Sequence, residues 1–366
     1  MTTALTELIE RIRSAHASAT PLCIRGGGSK DFYGQRQIGE PLDTRAHTGI
    51  TQYEPSELVV TVRAGTPLAE LEAALAEQGQ CLPFEPPFAA RQATCGGMVA
   101  AGLSGPARAS AGCVRDHVLG VRLVNGRGEW LSFGGQVIKN VAGYDVSRLM
   151  AGAMGCLGLL TDISLKVLPC APAEATLCFE MTQAQALRQL NAWGAQALPL
   201  NASCWLEDAG RARLYLRLRG AQAAVEAACQ SLGGHRVEAG QTGWDWAACR
   251  EQTLPFFTQP PHPGDALWRL SLPQTAPALD QAGTPLIEWH GALRWLWAPA
   301  TLAPQLRALA AAYGGHATLY RLSSPDDAAH GVFQPLAAPL LRIHRELKRQ
   351  FDPAGVFNRA RLYPEL

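Results

Sequence analysis

Three consecutive glycines, Gly26-Gly27-Gly28, follow directly on the apolar run Pro21-Leu22-Cys23-Ile24 and Arg25. A strand therefore feeds a loop whose backbone has no Cβ to hold a ligand or a neighbouring segment away. Glycine accepts positive φ at no steric cost, and successive exposed N–H groups then form a concave anion site that suits a pyrophosphate. The continuation Lys30-Asp31-Phe32-Tyr33-Gly34-Gln35 narrows the choice. A Rossmann fingerprint would run into an apolar-periodic helix, and a P-loop would need Gly-Lys-Ser/Thr after a four-residue gap; neither is present. By itself the triplet leaves a ligand loop and a plain flexible turn both open.

The 366 residues are enough for two domains at ~100–200 residues each. Basic and acidic residues balance at 32 and 31, with no basic cluster interleaved with aromatics, so nucleic acid is excluded as a partner. Ten cysteines are scattered with no C-x-x-C pair, which argues against zinc or an iron–sulfur cluster held by this chain and for reduced, mostly buried thiols. Met1–Ile12 carries acids among its apolar positions and reads as a short amphipathic helix, not a signal peptide. Leu149–Leu160, the most apolar window, is too short and glycine-rich to span a bilayer, which takes ~20 apolar residues. The expected location is the cytoplasm, with the inner membrane reached only through partners.

Strand-like runs at Leu58–Val62, Val118–Val124, Gly128–Phe133 and Ile163–Leu168 mark the first part of the chain. Between the first two, Thr66-Pro67 predicts an N-cap followed by proline at the first helical position, with Leu68, Leu71 and Leu75 at helical spacing and Gly79 as the stop. The boundary falls at Pro169-Cys170-Ala171-Pro172, beyond which the order is strand (Thr176–Glu180), helix (Gln183–Gln196), strand (Ala202–Glu207), strand (Arg213–Arg219), helix (Gln222–Leu232), strand (His235–Glu238). That is the β-α-β-β-α-β order of a ferredoxin-like unit. Strands at Ala266–Leu272, Pro285–Trp289, Ala292–Trp297 and Ala317–Arg321, with a helix near Leu302–Tyr313, would extend its sheet. A final helix, Leu336–Phe351, runs into Asp352-Pro353-Ala354-Gly355-Val356-Phe357-Asn358. The tryptophans of this half, Trp193, Trp205, Trp244, Trp246, Trp268, Trp289, Trp295 and Trp297, suit a core better than a docking face.

Four further glycine-bearing segments follow the first: Thr94-Cys95-Gly96-Gly97, Ser104-Gly105 through Gly112-Cys113-Val114-Arg115-Asp116, Lys139 through Gly143-Tyr144-Asp145, and Gly155 through Gly158-Leu159-Leu160-Thr161-Asp162. In this order, with Arg25–Lys30, they resemble the flavin-binding domain of the vanillyl-alcohol oxidase and FAD-linked oxidase superfamily. The later segments and the closing Phe351–Asn358 motif resemble its glycolate oxidase and D-lactate dehydrogenase branch. Length and the Lys139–Asp145 run are most similar to the second FAD-binding subunit of bacterial glycolate oxidase. The resemblance implies an α+β fold: a two-part FAD-binding domain of the PCMH type (residues 1–170), a mixed α/β cap with ferredoxin-like elements (171–335), and a C-terminal helix and tail returning to the flavin domain (336–366).

It also implies site roles. Gly26, Gly27, Gly28 and Ser29 would wrap the FAD pyrophosphate, with Arg25 and Lys30 on either side in the cofactor-binding set, and Thr94, Gly96 and Gly97 would continue the phosphate and ribityl cradle. Val114 and Asp116 would lie near the adenine half or the isoalloxazine edge, Leu160 would offer backbone groups to the flavin pyrimidine ring, and Ser104, Gly105 and Gly112 belong to the same cofactor-binding set. Gly143, Tyr144 and Asp145 complete the set, with Tyr144 and Asp145 readable either as ligand contacts or as a packed aromatic and a helix N-cap. Neither Lys30 nor the Phe88–Ala93 stretch supplies the histidine or cysteine of a covalent flavin link, so the implied FAD is noncovalent.

Members of the branch that oxidise 2-hydroxy acids carry a Gly-Asp-Gly-Asn-x-His-like metal run, whereas here Gly264-Asp265 leads into Ala266-Leu267-Trp268. The histidines of the second half, His262, His290, His316, His330 and His344, are isolated rather than at ligand spacing. Arg269 could hold a substrate carboxylate, and Glu288, His290 and Arg294 could supply an acid or base, but no catalytic residue is assigned. Two classes follow. In one, the chain is an FAD-binding subunit of a glycolate-oxidising complex, with a sister FAD-linked subunit and an iron–sulfur subunit as partners. In the other it is a self-sufficient flavoprotein dehydrogenase for a small 2-hydroxy acid. A flavin-free scaffold is the least favoured class, because the glycine segments are retained.

Overall fold

The structure, a computed structural model, describes residues 2–88, 92–135, 144–208, 210–237, 244–279 and 283–366. Its first element, α1 (Thr3–Ser18), starts where the Thr2 hydroxyl accepts the Leu5 N–H, and it buries Leu5, Leu8, Ile9, Ile12 and Ala15 along one stripe. That stripe covers β1 (Leu22–Arg25) and β2 (Glu40–Asp43), a parallel pair, together with Val356 and Phe357 from near the other end of the chain.

Next come β3 (Ile50–Glu54), β4 (Val59–Arg63), α2 (Leu68–Glu77), β5 (Gln80–Cys81), α3 (Cys95–Ala101), α4 (Arg108–Ala111), α5 (Val114–His117), β6 (Val118–Val124), β7 (Trp130–Gly134), α6 (Val146–Leu149), β8 (Leu159–Lys166) and β9 (Leu168–Pro169). Five of the strands form an antiparallel sheet in the order β3-β4-β8-β6-β7. Alternation along these strands gives the sheet two unlike faces. Val60, Val62, Val121, Ile163 and Leu165 pack on Leu68, Leu71, Leu75 and Met98 of α2 and α3. The opposite, polar face carries Thr61, Arg63, Asp162 and Ser164 around an open hollow of ≈ 1460 Å³. Thr66 does not cap α2 as its sequence context predicts: its fully buried hydroxyl accepts the Gly49 N–H at 2.8 Å, and α2 begins behind Pro67 with no side-chain cap. Satisfying that backbone donor takes precedence over capping.

The second half begins with β10 (Ala173–Glu180), α7 (Gln183–Gly194), β11 (Leu200–Asp208), β12 (Arg211–Gly220), α8 (Gln222–Leu232) and β13 (His235–Val237). Their sheet order, β13-β10-β12-β11, is that of a ferredoxin-like unit. After α9 (Trp246–Glu251) and α10 (Pro255–Thr258), the strands β14 (Asp265–Ser271), β15 (Leu286–Glu288), β16 (Leu293–Pro299) and β17 (His316–Arg321), with α11 (Ala303–Ala312) before the last, take the order β15-β16-β14-β17. The second group therefore repeats the strand order of the first in mirror sense, and the two join edge to edge at β11 and β15 into one antiparallel eight-stranded sheet.

One face of this sheet is covered by α7 and α8 through Leu187, Leu190 and Val225, and by α11 through Leu306 and Ala310. The other face turns Tyr215, Leu267, Trp295 and Tyr320 toward Tyr33, Phe88, Leu103 and Met154 of the first half. Trp193, Trp205, Trp246, Trp268, Trp289 and Trp295 are all buried, so these tryptophans are core. Across the seam one guanidinium nitrogen of Arg217, Nη2, reaches both carboxylate oxygens of Glu85, at 2.6 and 2.8 Å, a charge-assisted link between the two halves. The chain then returns through α12 (Ala338–Phe351), whose Leu347 and Phe351 pack on the core of the five-stranded sheet.

Candidate cofactor site

β1 delivers the glycine loop to the N-terminal turn of α3, and each glycine answers a different steric demand. A Cβ on Gly26 would lie 2.3 Å from Thr94 Oγ1, and one on Gly27 only 1.6 Å from the Gln92 carbonyl oxygen. Gly28 has φ +75°, the left-handed conformation expected of such a loop. Only the last of the three is thus required for its backbone conformation; the first two are required because another segment lies against them. Thr94 itself caps α3 by accepting the Gly97 N–H at 3.2 Å, and Gly96 rests on Ala64, where a Cβ would sit 2.7 Å from the Ala64 Cβ.

Between these segments run two adjoining open recesses that share Ile24, Gly26, Gly97, Ala100, Met154 and Asn358. The first is mostly apolar, with Ala64, Gly96, Met150, Ala153, Gly158, Leu159 and Leu160 around it. The second is polar, with Arg25, Gly27, Gly28, Ser29, Lys30, Gln37, Thr94 and Arg361. A third, open hollow touches the second at Ala101 and Met154 and brings in Tyr33, Val114 and Phe333. A chain of hollows that is apolar, then polar and glycine-lined, then aromatic-edged fits a dinucleotide with two ring systems flanking a pyrophosphate. The Lys30 ammonium, beside Ser29 Oγ at 3.1 Å and 5.5 Å from the Phe88 ring centre, is pushed down to about 8 by burial. An anion placed beside it would favour its charged form.

The remaining sequence-predicted residues lie differently. Ser104 Oγ accepts the Val114 N–H at 3.2 Å, and the Gly105 carbonyl accepts the Trp289 indole N–H at 2.9 Å across the seam. Gly112, at φ +84°, precedes the cap in which Asp116 accepts the Cys113 N–H at 2.9 Å; this bond holds the Asp116 carboxyl below its usual range. Asp145 caps α6 by accepting the Arg148 N–H at 3.1 Å, whereas the Tyr144 side chain is 97% exposed and not packed. Gly143 and Lys139 lie outside the described residues.

Residues that sequence reasoning did not single out close the recess. Asn358 Oδ1 accepts the Ile24 N–H at 2.7 Å and its amide donates to the Met154 carbonyl, so one side chain joins β1 to the loop before β8. Arg361 donates to the carbonyls of Lys30, Asp31, Tyr33 and Gln35, holding the loop beyond the glycines in shape. The turn that leads into Asn358 is itself held by Lys348, whose ammonium bonds the Cys156 and Phe357 carbonyls and Asp352 at 2.7–2.8 Å. The only sequence signal for this set was the Phe351–Asn358 motif.

In the cap, the candidate acid–base residues do not form one cluster. Arg294 is buried and donates to the carbonyls of Ala276, Pro277 and Gly291, a structural role. His290 sits between the Ser203 hydroxyl (3.0 Å) and the Ser110 hydroxyl (3.1 Å), and burial pushes it down to about 4, so it is neutral at pH 7. Arg269 lies on the sheet face toward the flavin domain, 5.1 Å from the Trp289 ring centre. Glu288, fully buried, accepts the Trp295 indole N–H at 2.6 Å and the Cys249 thiol at 3.3 Å; burial raises it to about 7. Because the folded value exceeds the unfolded one, Glu288 adds stability below pH ~4.5 that is lost as pH rises through about 7, on the order of 3 kcal/mol in all. Glu288→Gln, which keeps an acceptor for Trp295, is expected to flatten the pH dependence of unfolding between those limits. An unchanged profile in denaturant titrations would refute the buried acid.

The architecture is that of a PCMH-type FAD-binding fold carrying a β-rich cap. A sequence family described as FAD binding domain matches residues 3–134. Over 98% of the chain, and 97% of the relative, the sequence is 49% identical to glycolate oxidase subunit GlcE of Escherichia coli. D-2-hydroxyglutarate dehydrogenase of Xanthomonas citri is 31% identical over 51% of the chain and 37% of its own length. Among solved structures, an alkyldihydroxyacetonephosphate synthase superposes with a TM-score of 0.66 at 17% identity, covering 96% of the chain and 74% of its own, a likeness of fold. The chain belongs to the family of the glycolate oxidase subunit GlcE, within the FAD-linked oxidases.

Proposed function

We propose that the chain is the FAD-binding subunit of a glycolate oxidase complex that converts glycolate to glyoxylate, working with a sister FAD-linked subunit and an iron–sulfur subunit. The observation that carries this reading is the near full-length correspondence with GlcE in a chain whose glycine segments at 26–28, 96–97 and 155–158 line two adjoining recesses. The proposed domain division is 1–170 for the flavin domain, 171–335 for the cap and 336–366 for the returning helix and tail. Within the recess, Gly26–Ser29, Lys30, Thr94 and Gly97 would hold the pyrophosphate, while Gly96 and Leu160 would border a ring system. Asn358 and Arg361 would act by fixing the walls. Bound FAD would supply a two-electron acceptor; this chain's residues would bind it and orient it. With no histidine or covalent-link cysteine at the matching positions, the cofactor would be released intact on denaturation.

The absence of a Gly-Asp-Gly-Asn-x-His run supports placing substrate chemistry on the sister subunit. Anaerobic stopped-flow with the isolated chain tests this: its flavin is expected to be reduced by glycolate or D-lactate very slowly or not at all, with turnover restored by the partner subunits. Rapid bleaching by millimolar glycolate without partners would instead establish the second reading, a self-sufficient 2-hydroxy-acid dehydrogenase. The observation favouring that reading is Arg269, a guanidinium on the sheet face that turns toward the flavin domain.

A further inference from the structure

The short strands β5 and β9 join the flavin domain to the segment entering the cap, and each end of that seam carries a thiol. Cys81 lies opposite Leu168 in the antiparallel register, Gln80 lies opposite Pro169, and the Cys170 N–H donates to the Gly79 carbonyl at 2.7 Å. Cys81 and Cys170 are therefore diagonal neighbours on the same face of adjacent strands, and the nearness of Cys170 adds to the upward shift of the Cys81 thiol. Cys170 is exposed and Cys81 half-buried, so an oxidant reaches the first more readily. The other described cysteines near a partner differ: Cys204 and Cys249 are both buried in the cap core.

We propose that Cys81 and Cys170 are a peroxide-oxidisable pair that closes a disulfide across the β5–β9 seam. The Cys170 thiol attacks a hydroperoxide, forming a sulfenic acid and releasing water or an alcohol. The Cys81 sulfur then displaces hydroxide from that sulfenic sulfur, leaving the disulfide and a second water. Two thiols are oxidised by two electrons and one peroxide bond is reduced. Burial raises the Cys81 thiol to about 11, which suits it to the second, resolving step rather than the first. The bond would tie the chain at the entrance to the cap to the strand that follows α2. It would enclose the segment carrying α3 and β8, and so the walls of the cofactor recess.

The test uses the full chain, treated with hydrogen peroxide, alkylated and mapped by peptide mass spectrometry. The expected result is one linked pair, the Cys81 peptide joined to the Cys170 peptide, released by dithiothreitol. It should be lost in Cys81→Ser and in Cys170→Ser. Cys81→Ser is further expected to leave Cys170 as a sulfenic acid that dimedone captures. Oxidised wild-type protein should also melt at a higher temperature than reduced protein, with the difference absent in both variants. Oxidation of Cys170 to the sulfinic level with Cys81 still alkylatable would overturn the proposal. So would a disulfide to any other cysteine, or equal melting of the linked and reduced forms.

Discussion

Asp352→Ala is expected to cost about 3–5 kcal/mol of folding free energy and to abolish stable FAD retention. Asp352 is fully buried and accepts three bonds at once: the Lys348 ammonium at 2.8 Å and the backbone N–H groups of Val356 and Phe357 at 2.9 and 2.7 Å. Removing it leaves an ammonium with only carbonyl partners and two donors with none. It also frees the turn that presents Asn358 to Ile24 and Met154. The double variant Lys348→Met, Asp352→Leu should not recover the loss, because the two N–H groups stay unpaired at about 1–3 kcal/mol each. Chemical denaturation monitored by tryptophan fluorescence measures both. A cost below about 1 kcal/mol for the single variant, or full recovery in the double, would show that the turn is held by something else.

Gly27→Val carries the second large effect, and its origin is packing rather than backbone conformation. The new side chain would start 1.6 Å from the Gln92 carbonyl oxygen, so the segment leading into Thr94 must move away from β1. Overpacking of this kind costs about 1–3 kcal/mol or more, and the movement opens the recess between the glycine loop and α3. FAD affinity should fall by roughly tenfold or more, since each 1.4 kcal/mol is a factor of ten. Two comparisons separate the causes. Gly28→Ala should cost about 1–2 kcal/mol through its left-handed φ, and Gly210→Ala, with the same φ of +75° but open space around it, should leave FAD binding unchanged. Wild-type FAD occupancy in Gly27→Val, read from the flavin-to-protein absorbance ratio, would dismiss the loop as a cofactor wall.

The cap was legible in the sequence because its signals are local. The succession of strand-like and helical segments from Thr176 to Glu238 was enough to order β10 through β13 as one ferredoxin-like unit. The mirror repetition by β14 through β17 was not legible, because it is a property of strand pairing with no tandem sequence repeat behind it. α3 was hidden by its composition: Cys95-Gly96-Gly97 reads as loop, and it is helical because Thr94 caps it and Ala64 leaves room for no Cβ at Gly96. In the site, the glycine loop announced itself, whereas Asn358 and Arg361 act on residues more than 300 positions away in sequence and have no local pattern that says so. Glu288 is similar: its environment comes from Cys249 and Trp295, on an unrelated helix and the next strand. The Asp116 and Asp145 carboxylates show the reverse confusion, since a helix cap and an acidic ligand look alike in sequence and the geometry makes both of them caps.

The bond between Asn358 and Ile24 spans 334 residues, which sets an order of events on the ribosome. At about 5–20 residues per second, β1 and its glycine loop wait for tens of seconds before the side chain that completes their recess is synthesised. During that interval the eight-stranded cap sheet, whose strand pairings lie wholly within its own stretch of chain, has every strand it needs. The cofactor wall therefore closes after the cap is already folded, and a nascent chain stalled before Lys348 presents a finished cap beside a recess that still lacks one side.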